Sequence, residues 1–151
     1  MTDKELIIEA MKAREMAYTP YSRHKVGAAL ECSDGTIYHG CNIENAGYTP
    51  TNCAERTAVF KAVSEGRKDF TRIAIVGGMD NLNSLPVCAP CGVCRQVLRE
   101  FVNPKEFKVL LAAVNGAKNV ETITESDVDL KEFTLDDLLP LGFGPENLDK
   151  K

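Results

Sequence analysis

Two of the helices predicted from this sequence open on cysteines, and that coincidence constrains the fold more than any other feature. Cys53-Ala54-Glu55 starts one helix, and Pro90-Cys91-Gly92-Val93-Cys94 starts the other. Cys91 and Cys94 lie three residues apart, so on one helical turn their side chains face the same way. If both helix N-termini meet at one point, their unpaired N–H groups and dipoles favour thiolate over thiol there. Three thiolates can then hold one zinc ion and leave a fourth tetrahedral position free, which a catalytic zinc needs.

The surrounding pattern is that of an α/β chain. Thr2 and Glu5 fit a capping box ahead of Leu6, Ile7, Ala10, Met11 and Met16, a first helix expected to stop near Tyr18-Thr19-Pro20. Lys25 to Leu30 reads as a strand, Asp34-Gly35 as a hairpin turn, and Thr36 to His39 as the returning strand. A polar loop, 42–52, leads to the Cys53 helix, which ends at Gly66. Arg72 to Val76 is a short buried strand, 79–90 a loop, Cys91 to Phe101 the second cysteine-led helix, and Phe107 to Val114 an apolar central strand. Residues 115–133 are acidic and weakly patterned, a surface excursion with at most one short strand, and Thr134 with Asp137 opens a last short helix ending near Pro140. The order predicts one domain over 1–151, a three-layer α-β-α sandwich around a mixed sheet of about five strands.

Composition narrows the functions. The formal charge of −4 leaves no basic stripe for a phosphate backbone, so nucleic-acid binding is disfavoured. No apolar run approaches the ~20 residues that span a bilayer, and the opening Met1 to Glu5 lacks a signal-peptide layout. A cytoplasmic chain without membrane contact is expected. In that compartment the six cysteines, Cys32, Cys41, Cys53, Cys88, Cys91 and Cys94, point to metal or catalysis rather than to disulfides. Cys88 is available as a fourth ligand for a purely structural zinc. Against that stands Glu55, placed just past Cys53 where a carboxylate reaches a water on the metal without ligating it.

At these residues the sequence resembles the small homotetrameric zinc-dependent cytidine deaminases. The match runs in order through Ala17 to Ser22, Val26 to Ala29, Gly40 to Asn45, Cys53 to Ala58, Pro90 to Gln96 and Leu138 to Pro140. The resemblance implies hydrolytic deamination of cytidine and 2′-deoxycytidine, as in pyrimidine salvage, in a homotetramer with shared sites and one Zn²⁺ per subunit. It implies Cys53, Cys91 and Cys94 as ligands and Glu55 as the proton shuttle. Asn42 and Glu44 correspond to residues holding the ribose 3′-hydroxyl, and the backbone of Ala54 would face the pyrimidine carbonyl. Arg56 corresponds to the residue that withdraws charge from the ligand sulfurs. Phe143 stands where the family places an aromatic that reaches a neighbouring chain's substrate. His24 departs from the usual phenylalanine at a position stacking on the base, and the 115–133 segment is longer than in typical relatives. The alternatives are a sister deaminase acting on another aminopyrimidine nucleoside such as blasticidin S, and a non-catalytic zinc-stabilised binding protein.

Overall fold

The computed structural model describes residues 1–148. Its elements run α1 (Asp3–Arg14), β1 (His24–Cys32), β2 (Ile37–Cys41), α2 (Ala54–Ser64), β3 (Phe70–Met79), β4 (Ser84–Leu85), α3 (Gly92–Phe101), β5 (Lys108–Asn115), β6 (Val128–Thr134) and α4 (Leu135–Leu138), with three short 3-10 turns. β1 pairs antiparallel with β2 and with β3, β3 runs parallel to β5, and β6 lies antiparallel along β5.

The sheet has six strands. Val114 pairs with both Leu85 and Val128, so β4 and β6 occupy opposite edges of β5. β4 therefore continues the β3 side after the β3 pairing ends at Leu111, and the sheet is in effect five strands wide.

Alternation along the strands builds two cores. Ala28, Leu30, Ile73, Ile75, Val109 and Leu111 face α2 and α3 through Ala58, Val59, Ala62 and Leu98. Their neighbours Ala29, Ala74, Val76, Leu110 and Ala112 face α1 through Leu6, Ile7, Ala10 and Met11. Burial on both faces explains why β3 and β5 read as unbroken apolar runs. The three layers are thus α1, the mixed sheet, and α2 with α3.

Several boundaries differ from the sequence reading, among them β3, which runs Phe70–Met79 rather than Arg72 to Val76. α1 ends at Arg14, not near Tyr18, and Met16 is exposed beyond it. Arg14 turns inward, donating to the carbonyls of Lys25, Gly78 and Met79, and Tyr18 N bonds Asn42 O, so the chain leaves the helix for contacts with the sheet. The 115–133 segment is an excursion over 116–127, but its strand is longer and better paired than the sequence suggests. Its last six residues begin β6, a seven-residue strand paired along β5 from Lys108 to Val114. Its acidic and basic side chains belong to an edge strand, where charge discourages pairing with another chain. Finally, the 79–90 loop contains the two-residue β4.

Candidate active site

Cys53 and Cys91 are the N-cap residues of α2 and α3, each with extended backbone and with no side-chain capping bond. The thiols are consequently free to face one another across the two helix starts. Cys94 follows in the first turn of α3 and is buried. The sulfurs of Cys53 and Cys91 are 3.8 Å apart, those of Cys91 and Cys94 3.5 Å, and all three lie within 4.8 Å of one another. Tetrahedral coordination with Zn–S bonds of about 2.3 Å sets sulfur–sulfur separations of about 3.8 Å, so the trio fits zinc. Cys88 is not in this cluster; burial pushes its thiol up to about 11.

Charge in the cluster is uneven. Cys53 is held well below the ordinary thiol range, first by a hydrogen bond from Cys94 and then by the Arg56 guanidinium, while Cys94 moves the opposite way. Arg56 Nη2 donates to Cys53 Sγ at 3.2 Å, and its Nε is buried without a partner among the described residues. Glu55 is 4% exposed, and burial followed by the Cys53 charge pushes its carboxyl up to about 7. A carboxyl in that range can take and give a proton near neutral pH.

Cys53, Cys91 and Glu55 open on a cavity of about 200 Å³ whose walls also include Val26, Asn42, Asn52, Ala54 and Cys88. A roomier cleft of about 490 Å³ lies beside Arg99, Asn103 and Asp136, away from any thiol or glutamate of the cluster. The smaller cavity is the better candidate because convergent polar groups and a shifted carboxyl line it.

The structure brings the expected residues together unequally. Asn42 lines the cavity, and its amide also clasps β1: Nδ2 donates to His24 O at 2.8 Å and Oδ1 accepts from Val26 N at 2.9 Å. Its second N–H and second lone pair remain for a ligand. Glu44 lies outside the cavity wall, accepting from Tyr21 N at 3.0 Å, Ser22 N at 3.1 Å and the Ser22 hydroxyl. The Ser22 hydroxyl is the main cause holding the Glu44 carboxyl below its usual range. His24 is half-buried at the start of β1, and its backbone N–H donates to the same Ser22 hydroxyl that bonds Glu44. Phe143 is 57% exposed and stays apart from this chain's cavity.

The sequence reading missed the residues that hold these pieces. Arg95 donates to Pro90 O at 2.8 Å, just ahead of Cys91, and to Leu138 O at 2.7 Å. Gln96 donates to Phe143 O at 2.9 Å, and Arg99 pairs with Glu146. One face of α3 thereby pins the segment that displays Phe143. The i, i+1 and i+4 spacing of these polar residues was visible, but only the fold supplies their partners.

Comparison with known proteins shows the family. Residues 1–111 match the family described as the cytidine and deoxycytidylate deaminase zinc-binding region. The chain is 49% identical over 148 residues to a cytidine deaminase of Sporosarcina psychrophila, covering 98% of this chain and 96% of that one. It is 47% identical over 147 residues to a cytidine deaminase of Halalkalibacterium halodurans, covering 97% and 98%. Among solved structures, the cytidine deaminase of Burkholderia pseudomallei superposes with a TM-score of 0.76 at 43% identity, covering 95% of this chain and 100% of that one.

Proposed function

This chain belongs to the cytidine and deoxycytidylate deaminase family, and from that premise we propose that it hydrolyses cytidine and 2′-deoxycytidine to the corresponding uridines and ammonia. The observation that carries the reading is the buried Glu55 beside three convergent thiols, two of which, Cys53 and Cys91, share its cavity. Cys53, Cys91 and Cys94 hold zinc, which when bound supplies a Lewis acid that activates water at neutral pH.

The chain's own residues do the rest. Glu55 takes one proton from the attacking water and passes it to ring N3, then takes the second from the hydroxyl formed on C4 and delivers it to the amine as the C4–N bond breaks. Its raised pKa suits both directions of transfer. Arg56 spreads its charge over the Cys53 sulfur and so reduces the electron density that three thiolates would otherwise place on the metal. The start of α2 at Ala54 presents backbone to the pyrimidine carbonyl. Asn42 and Glu44 engage the 3′-hydroxyl, and His24 stacks at the rim.

The exposed Phe143, held on a pinned segment, supports a homotetramer in which this ring completes a neighbour's site. No helix among the described residues is long and apolar enough to cross a membrane, and the net charge of −4 suits an uncharged nucleoside better than a nucleotide or polynucleotide. The test compares ammonia release from cytidine, deoxycytidine, cytosine, CMP and blasticidin S by the zinc-loaded protein. Comparable turnover of the first two, with poor turnover of the others, is expected. Preference for blasticidin S or CMP would overturn the substrate assignment.

A further inference from the structure

Asn52 stands between the two halves of the proposed site. It precedes the ligand Cys53, and its backbone forms a one-pair antiparallel bridge with Ile43, which lies between Asn42 and Glu44. Both bonds of that bridge are 3.0 Å, Ile43 N to Asn52 O and Asn52 N to Ile43 O. The metal side is thus stitched directly to the segment proposed to hold the sugar.

The side chain is fixed as well. Asn52 Nδ2 donates to Thr57 Oγ1 at 3.1 Å. The Thr57 hydroxyl has one proton and two carbonyls within reach, Cys41 O at 3.0 Å and Cys53 O at 3.2 Å. With that proton committed to a carbonyl, the hydroxyl oxygen can only accept from Asn52. A flipped amide would set two acceptors against each other. The network therefore dictates which end of the amide is left over.

That end is Oδ1. It has no hydrogen-bond partner and is not among the buried unpaired atoms of the described residues, so it is open to solvent, on a residue that lines the cavity. A fixed acceptor in a binding cavity selects a ligand donor. Cytosine's only N–H donor is its 4-amino group, which must approach Glu55 and the thiols. The sugar carries hydroxyls, and Asn52 is bonded to the sugar side through Ile43.

We propose that Asn52 Oδ1 accepts a hydrogen bond from a sugar hydroxyl of the bound nucleoside, with Thr57 as the positioning residue that orients the amide. The inference rests on the deaminase reading of the same cavity. It specifies a further substrate contact, and it assigns Thr57, outside the cavity wall, a role in binding.

The experiment measures KM and kcat of zinc-loaded protein for cytidine and its 2′-, 3′- and 5′-deoxy analogues. Asn52→Leu should raise KM for cytidine about three- to tenfold, the range of one neutral hydrogen bond, with kcat within about twofold and zinc content unchanged. The deoxy analogue that lacks the bonded hydroxyl should show no such rise. Thr57→Val, nearly the same shape without the hydroxyl, should raise KM in the same direction, and Thr57→Ser should restore it. A purely structural role would lower thermal stability and leave KM unmoved. An unchanged KM in Asn52→Leu, or in Thr57→Val where Asn52→Leu does not fold, overturns the inference, as does an equal KM rise for cytidine and all three analogues. A wild-type protein that deaminates none of these nucleosides removes the underlying reading instead.

Discussion

Gly40 offers a sharp test of how the fold sets the site. It lies in β2 opposite Ala28, on the face that carries α2. A methyl group built there would sit 2.2 Å from Ala54 O, 2.6 Å from Ala58 N and 2.9 Å from Ala58 Cβ. The obstructing atoms are the first turn of α2 itself, so no side-chain rotation relieves the clash. Gly40→Ala must push the start of α2 away from the sheet by roughly 1 Å, and a shift of that size at a catalytic group costs about 100-fold in rate. Overpacking of this kind costs about 1–3 kcal/mol. In a chain of this length that corresponds to a Tm lowered by roughly 2–12 °C. Calorimetry of the zinc-loaded protein and kcat/KM for cytidine read the two effects separately. Gly92→Ala is the control, because its added Cβ meets no heavy atom within 4 Å, and its Tm should hold or rise. A Gly40→Ala protein with wild-type Tm and kcat/KM within twofold would refute the claim that strand-to-helix contact positions Cys53, Ala54 and Glu55.

Acid stability and subunit exchange give two further tests. Arg72 holds Glu31 below its ordinary value of 4.5, so this pair stabilises the fold above that pH and the contribution is lost as pH falls through the lower folded value. Glu31→Gln should flatten the decline in Tm below about pH 4.5, and an unchanged acid limb would contradict the assignment. Phe143→Ala should lower activity without releasing zinc, and mixing it with inactive Glu55→Gln chains should recover activity in hybrid tetramers. A fully active monomer, or no recovery in verified hybrids, would exclude a shared site.

The legible parts of this molecule were those written in local chemistry. Cys53 and Cys91 mark helix starts in the sequence and are the N-caps in the structure, so the three-thiol cluster could be placed before any contact was known. Apolar runs located β3 and β5 because both faces of those strands are buried. β6 was largely unreadable for the opposite reason: an edge strand with Asp129, Lys131 and Glu132 in seven residues carries a loop-like composition. The end of α1 was misplaced because Arg14 spends its guanidinium on carbonyls of β1 and β3, which no local rule anticipates. Asn42 was singled out, yet its clasp on β1 depends on register, as do the partners of Asn52, Thr57 and Arg95. His24 and Glu44 were paired only by the turn that brings Ser22 between them.

The most direct test separates metal binding from proton transfer at the centre of the site. Zinc content and ammonia release from cytidine should be measured side by side for wild type, Glu55→Gln and Cys91→Ala. Glu55→Gln should keep about one zinc per chain and lose activity by about 10²–10⁴-fold or more, the share of a general acid–base group, while Cys91→Ala should lose the metal as well. Activity in Glu55→Gln within about tenfold of wild type, or full zinc retention in Cys91→Ala, would contradict the account.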